Sequence, residues 1–177
     1  MRNYHDEEWG VPVHDDRELF ELLILEGAQA GLSWATILKR REGYRKAFVN
    51  FDINKVAQFS DKDFDHLIVN EAIIRNKLKV KSAINNAQRF IEVQNEFGSF
   101  NKYIWSFIDH KPIHNQFVSL SEIPASTPLS VRISKDLKKR GFNFIGPTIC
   151  YAYMQSIGMV NDHVVNCFRY NTIKNME

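Results

Sequence analysis

The sequence predicts an all-α fold. Apolar residues recur at helical spacing along most of the 177-residue chain, strand-like alternation is scarce, and helix-capping residues stand directly before the periodic stretches. Apolar residues make up 44% and charged residues 25%, which suits a globular protein with a real core.

The elements follow in order. After Val11-Pro12-Val13-His14, Asp15 or Asp16 is placed to cap a first helix whose apolar stripe is Leu19, Leu22, Leu23 and Ala30. Glu26 falls on that stripe. An unpaired buried glutamate costs several kcal/mol in order of magnitude, so it is either satisfied by a donor or poised for work. A second helix is expected from Ser33, with Trp34, Ile37, Leu38, Tyr44 and Phe48 inward and Lys39, Arg40, Arg41 and Arg45 outward. Ser60-Asp61-Lys62-Asp63 resembles a capping box before Phe64, Leu67 and Ile68. A long helix follows, with Ile73, Val80, Ile84, Ala87 and Ile91 on one face and Lys77, Lys79 and Lys81 in solvent. Gly98 ends it, and Ser99 opens a short helix holding Tyr103 and Trp105. Residues 109–124 read as an irregular crossing. Thr127-Pro128 starts a helix through Lys135, Lys138, Lys139 and Arg140 to Gly141, and a last clear helix spans 149–155.

A net charge of +2 permits nucleic-acid binding without demanding it, so any basic surface must be local. Two cysteines, Cys150 and Cys167, make no disulfide framework and fit a reducing, cytoplasmic setting. Met1 to Gly10 is polar and charged, unlike a signal peptide, and no apolar run approaches the roughly 18 residues of a membrane span.

Two features carry chemistry. Arg140-Gly141-Phe142-Asn143-Phe144-Ile145-Gly146-Pro147 is an apolar turn bracketed by glycines between two helices, preceded by Lys138 and Lys139. Such a turn aims backbone amides outward, where they favour phosphate; its plainer reading is a packing joint. His163 and Cys167 stand at i and i+4, a spacing that puts two zinc ligands on one helical face, and His5 is a third candidate. On composition alone Trp9 and Trp34 are more readily core residues than pocket walls.

Val160-Asn161-Asp162-His163-Val164 after the hairpin resembles the turn of the helix–hairpin–helix DNA glycosylase superfamily. Asn161 stands where that superfamily has a catalytic aspartate, and Asp162, one residue on, is expected to face elsewhere on a helix. Tyr4-His5-Asp6-Glu7-Glu8-Trp9-Gly10-Val11-Pro12, Leu25-Glu26-Gly27-Ala28-Gln29-Ala30-Gly31-Leu32-Ser33-Trp34, Lys138-Lys139-Arg140-Gly141-Phe142 and Asn161-Asp162-His163-Val164-Val165-Asn166-Cys167 occur in one order. Together they resemble the DNA-3-methyladenine glycosylase I family, over nearly the whole chain to about Tyr170.

The resemblance implies a multi-helix glycosylase fold with a divergent helix–hairpin–helix element, one unit over residues 1–177 built of two closely packed helical lobes. It implies a structural zinc held by His5, His163 and Cys167 and a cysteine upstream of the Tyr-His motif. No cysteine precedes His5, so the chain is expected to start short of the family's beginning. It further implies a base pocket of Tyr4, Trp9, Glu26 and Trp34, with Glu26 the catalytic candidate. Gly31 and Leu32 would wedge the duplex, while Lys139, Arg140, Gly141 and Gly146 would contact its backbone. The implied activity is monofunctional hydrolysis of 3-methyladenine from double-stranded alkylated DNA by a monomer. Rival readings are a non-catalytic helix–hairpin–helix DNA-binding module, a metal-dependent hydrolase on the His5, His163 and Cys167 set, and a related enzyme that also takes 3-methylguanine.

Overall fold

A computed structural model describes residues 1–176. A π-helical turn, Tyr4–Glu8, opens the chain. Helices α1 (Asp16–Gln29), α2 (Trp34–Leu38), α3 (Arg41–Ala47), α4 (Ile53–Ala57), α5 (Asp61–Val69), α6 (Lys77–Phe97), α7 (Phe100–Trp105), α8 (Pro128–Lys139), α9 (Pro147–Ser156) and α10 (Phe168–Lys174) follow. The all-α expectation holds. One small parallel bridge pairs β1 (Ile113–His114) with β2 (Val160–Asn161), too short to leave a periodic signal. No helix among the described residues is long and apolar enough to cross a membrane.

The caps are those the sequence marks. Asp15 accepts from the amides of Arg17 and Glu18, Ser33 from Thr36 and Ser99 from Lys102; Ser60 with Asp63, and Thr127 with Ser130, form capping boxes. Gly98 ends α6 at φ 84°, in the left-handed region. Helix α9 begins at Pro147, two residues earlier than expected, because proline suits a first turn.

Helix α1 is the axis of the core. Every residue from Leu19 to Ala28 is buried, so it has no solvent face; α2, α6, α7 and α9 pack around it. The single apolar stripe expected of it is therefore too narrow, and Ala30 lies past its end. In α6 the buried apolar positions are Val80, Ala83, Ala87, Phe90 and Val93. Ile84 and Ile91 are only partly buried, and Ile73 precedes the helix.

Several cations expected in solvent are structural. The helix expected from Ser33 breaks between Leu38 and Arg41. This break lets Arg41 and Arg45 turn onto the buried Glu21 of α1. Arg40 donates to the Glu71 carbonyl. Lys79 of α6 donates to the carbonyls of Ala28 and Ala30, both at 2.7 Å, filling the acceptors left open at the C-terminus of α1. Periodicity assigns charges outward and is blind to partners on another helix. Hydrogen bonds to a charged group contribute about 1.5–3 kcal/mol each. Lys79→Met is therefore expected to lower stability by about 2 kcal/mol, a loss of roughly 4–8 °C in Tm for a chain this size, checked by thermal unfolding.

Candidate active site

The N-terminal segment reaches the site by crossing the end of α9. Gly10 donates to Gln155 O and Val13 to Ile157 O. The crossing is close: a Cβ on Gly158, whose φ is +73°, would lie 2.4 Å from the Val11 carbonyl carbon. This crossing sets the π-helical turn beside the N-terminus of α2, and the Tyr4 and Trp34 rings meet at 5.4 Å between centroids.

A pocket of about 430 Å³ opens there, lined by Tyr4, His5, Trp9, Trp34, Leu120, Asp162, His163, Val164 and Cys167 among others. It is large enough for a purine, and its aromatic walls suit a flat ligand. Three of the four expected base-binding residues, Tyr4, Trp9 and Trp34, thus share one cavity.

The fourth, Glu26, lies buried in α1, within electrostatic reach of Tyr4. It is 3% exposed, and its Oε2 has no hydrogen-bond partner. The indole Nε1 of Trp34 is also buried and makes no well-formed hydrogen bond, its polar neighbour being the Tyr4 hydroxyl. Buried polar atoms without partners are uncommon, and the Glu26 oxygen is an acceptor that a polar ligand could satisfy. Burial pushes the Glu26 carboxyl up to about 8, from 4.5; the Ser156 hydroxyl opposes this only in part, its own proton going to Tyr153 O at 2.9 Å. Burial and then the charges of Glu26 and Glu8 push the Tyr4 phenol up, so it stays protonated.

Asn161, which the resemblance sets in the place of a catalytic aspartate, is held by backbone partners. Its Nδ2 donates to Tyr170 O at 3.1 Å, and its Oδ1 accepts from the His163 amide at 3.3 Å. Asp162, expected to face elsewhere, lines the pocket, because residues 160–161 form a strand and the helix starts only at Phe168. Its carboxylate accepts from Asn115 (2.6 Å), the Tyr151 hydroxyl (2.6 Å) and Gln155 (2.7 Å), so it is saturated where Glu26 is not. Asp162 and Leu120 are pocket residues that periodicity misses, since Asp162 directly follows the β1–β2 bridge and Leu120 opens a single 3-10 turn.

His5, His163 and Cys167 do converge, although not on one helical face. A turn carries His163, and Cys167 is the N-cap of α10. Cys167 Sγ lies 3.6 Å from His163 Nδ1 and 3.8 Å from His5 Nε2. Tetrahedral zinc, with Zn–S and Zn–N bonds of about 2.3 and 2.0 Å, separates such ligands by roughly 3.5 Å. The distal ring nitrogens are held as metal-binding histidines require: His5 Nδ1 on Asp6 at 2.7 Å, His163 Nε2 on the Trp9 carbonyl at 2.9 Å. The three donors fit zinc, and no fourth His, Cys, Asp or Glu joins them among the described residues.

Gly31 (φ +75°) and the exposed Leu32 form the tip of the turn between α1 and α2, one residue before the Ser33 cap. The hairpin of 140–147 sits elsewhere, seated on α6. Asn86 Nδ2 donates to Asn143 O and its Oδ1 accepts from the Asn143 amide, both at 2.9 Å, while Phe142 and Ile145 are buried. Gly141 holds φ +88°, and Gly146 is the N-cap of α9. Lys139 is exposed beside it. Arg140, expected on DNA, is drawn back instead. It pairs with Glu96 (2.7 Å) and Asp136 (2.8 Å) and lies 5.0 Å over the rings of Phe97 and Tyr103.

The Glu26 carboxyl makes stability depend on pH. From about pH 4.5 to 8 the folded chain keeps a proton that the unfolded chain releases, so stability falls as pH rises through that window. Glu26→Gln removes the effect. Thermal unfolding against pH should find the variant close to the parent at pH 4 and more stable at pH 8, by on the order of 3 kcal/mol.

Comparison with known proteins agrees with this architecture. Residues 1–170 match the model of the methyladenine glycosylase family. The chain is 50% identical to DNA-3-methyladenine glycosylase 1 of Escherichia coli (strain K12), over 94% of its own length and 89% of that protein's. A crystal structure of 3-methyladenine DNA glycosylase I superposes with a TM-score of 0.92 at 48% identity, covering 94% of this chain and 92% of that one. A variant of 3-methyladenine DNA glycosylase I crystallised in complex with 3-methyladenine gives a TM-score of 0.92 at 37% identity, covering 94% and 90%. With the family model spanning all but the last residues, the chain belongs to the methyladenine glycosylase family.

Proposed function

We propose that this protein hydrolyses the N-glycosidic bond of 3-methyladenine in alkylated double-stranded DNA, without cutting the strand. The observation that carries the reading is the buried Glu26 carboxyl, its Oε2 without a partner, within electrostatic reach of Tyr4 in the wall of an aromatic pocket. The relative crystallised with 3-methyladenine supports the choice of base.

3-Methyladenine within DNA is a cation. Its bond to the sugar is already weak, because the base leaves as a neutral molecule. The enzyme's task is to extract the base and hold it, and extrusion costs a few kcal/mol. Leu32, presented by Gly31, fills the space the nucleotide leaves. The hairpin between Gly141 and Gly146, with Lys139, lies against backbone phosphates. Tyr4, Trp9 and Trp34 surround the extruded ring, a cation–π gain of about 0.5–2 kcal/mol.

Glu26 complements the positive charge. A cation nearby favours its ionised form, so lesion binding releases the Glu26 proton and leaves the charge pair in a dry site. A neutral base offers no such compensation and is rejected. When the C1′–N9 bond breaks, its electron pair neutralises the departing base. Water adds at C1′ and gives up a proton, for which the Glu26 carboxylate is an acceptor. The side chains lining the pocket include no lysine, so none of them can form a Schiff base with the sugar, which supports an intact strand with an abasic site as the product.

We further propose that His5, His163 and Cys167 hold a structural zinc, tying the π-helical turn that carries Tyr4 to the turn before α10. One equivalent of zinc should be retained, and cobalt substitution should give a thiolate charge-transfer band that Cys167→Ser abolishes. Chelation should lower Tm. Absence of the band would remove the zinc.

The enzymatic reading is tested by incubating the protein with methylated duplex DNA and identifying the free bases. Release of 3-methyladenine without 7-methylguanine is expected, with strands cut only after alkali, and Glu26→Gln should reduce release at least tenfold, a loss of about 1.4 kcal/mol or more in transition-state stabilisation. A folded, DNA-bound protein that frees no base would instead be a non-catalytic binding module.

A further inference from the structure

Tyr4, Glu26 and Trp34 ride on three separate elements: the π-helical turn, α1 and α2. Arg41 touches two of these and lies just beyond the third. It opens α3, three residues after α2 ends. Its Nη1 donates to Glu8 Oε2 at 2.5 Å, and Glu8 is the last residue of the π-helical turn. Its Nε donates to Glu21 Oε1 at 2.6 Å, and Glu21 precedes Glu26 by five residues on α1. Both bonds are charged. Glu21 is 7% exposed, and the Arg41 side chain 16%.

These groups line a polar groove of about 600 Å³ that also includes Tyr4 and Ser156. Tyr4 is therefore the wall between groove and base pocket, with the ion-pair network behind it. A guanidinium can span two carboxylates from two different nitrogens with fixed angles; an ammonium is a point charge and cannot hold that geometry.

We propose that Arg41 is the positioning residue of the base pocket, setting the spacing of Tyr4, Glu26 and Trp34 without itself touching the base. It rests on the reading that the pocket takes a methylated purine. Misplacing groups around a ligand by even an ångström costs affinity and rate out of proportion to any lost stability.

The test is the Kd of free 3-methyladenine, from tryptophan fluorescence, together with affinity for unmethylated duplex. It compares the wild type with Arg41→Gln, Arg41→Lys, Glu8→Gln and the Arg41→Gln/Glu8→Gln double variant. Arg41→Gln should weaken base binding about tenfold, Arg41→Lys should restore it only partly, and duplex affinity should not change. The double variant should bind no worse than Arg41→Gln, since both remove one bond. A lowered Tm with unchanged base affinity, or losses that add in the double variant, would overturn the proposal. Glu8 is half exposed, so Glu8→Gln keeps the test valid if Arg41→Gln fails to fold. Wild-type protein that binds duplex but not 3-methyladenine would remove the substrate reading itself, and this proposal with it.

Discussion

A carboxyl group with a partnerless oxygen, held out of water, is the feature on which the site depends. Glu26 lies on the most buried helix of the molecule, and no lysine, arginine or amide comes to meet its Oε2. The same chain satisfies its other buried carboxylates. Asp162 accepts three side-chain hydrogen bonds, and Glu21 is met by two arginines. Neutralising Glu26 in the same way would stabilise the fold and remove the charge a cationic base is drawn to. On the proposed function, local instability at Glu26 is the physical counterpart of selectivity for a positively charged lesion.

The surrounding architecture keeps this arrangement in place. Lys79 closes the end of α1 just before the Gly31-Leu32 tip, so the buried end of the helix and its exposed turn are held together. The N-terminal segment crosses α9 through hydrogen bonds of Gly10 and Val13, and the His5, His163 and Cys167 cluster lies where that segment meets the turn before α10. Contacts far apart in sequence thus converge on Tyr4. The hairpin is stiffened separately, by Asn86 on its backbone and by Arg140 folded onto Glu96 and Asp136. Rigid support on both sides suits an enzyme that must bend or open a duplex against a fixed surface.

Much of this was readable in the sequence, for definite reasons. Caps and hairpin glycines depend on local backbone geometry, so Asp15, Ser33, Ser60, Thr127 and Gly141 announce themselves. Glu26 stood out because a charge on an apolar stripe needs an explanation. What could not be read is tertiary partnership. Arg41, Arg45 and Lys79 resemble solvated charges until the acceptors on α1 are known. Asp162 and Leu120 reach the pocket from a two-residue bridge and a single 3-10 turn, too short to carry periodicity. The i, i+4 spacing of His163 and Cys167 marks two side chains that do come together, through a turn and not through the helix it implies.

The most direct measurement is the ionisation of Glu26 itself, by carboxyl carbon NMR of glutamate-labelled protein against pH. The spectrum would be taken free and bound to duplex carrying a non-hydrolysable cationic nucleotide at the lesion position, with Glu26→Gln to assign the signal. The account requires a midpoint near 8 in the free protein and a clear fall when the cation is bound. A Glu26 that ionises near 4.5 in the free protein, and does not move on binding, would contradict it.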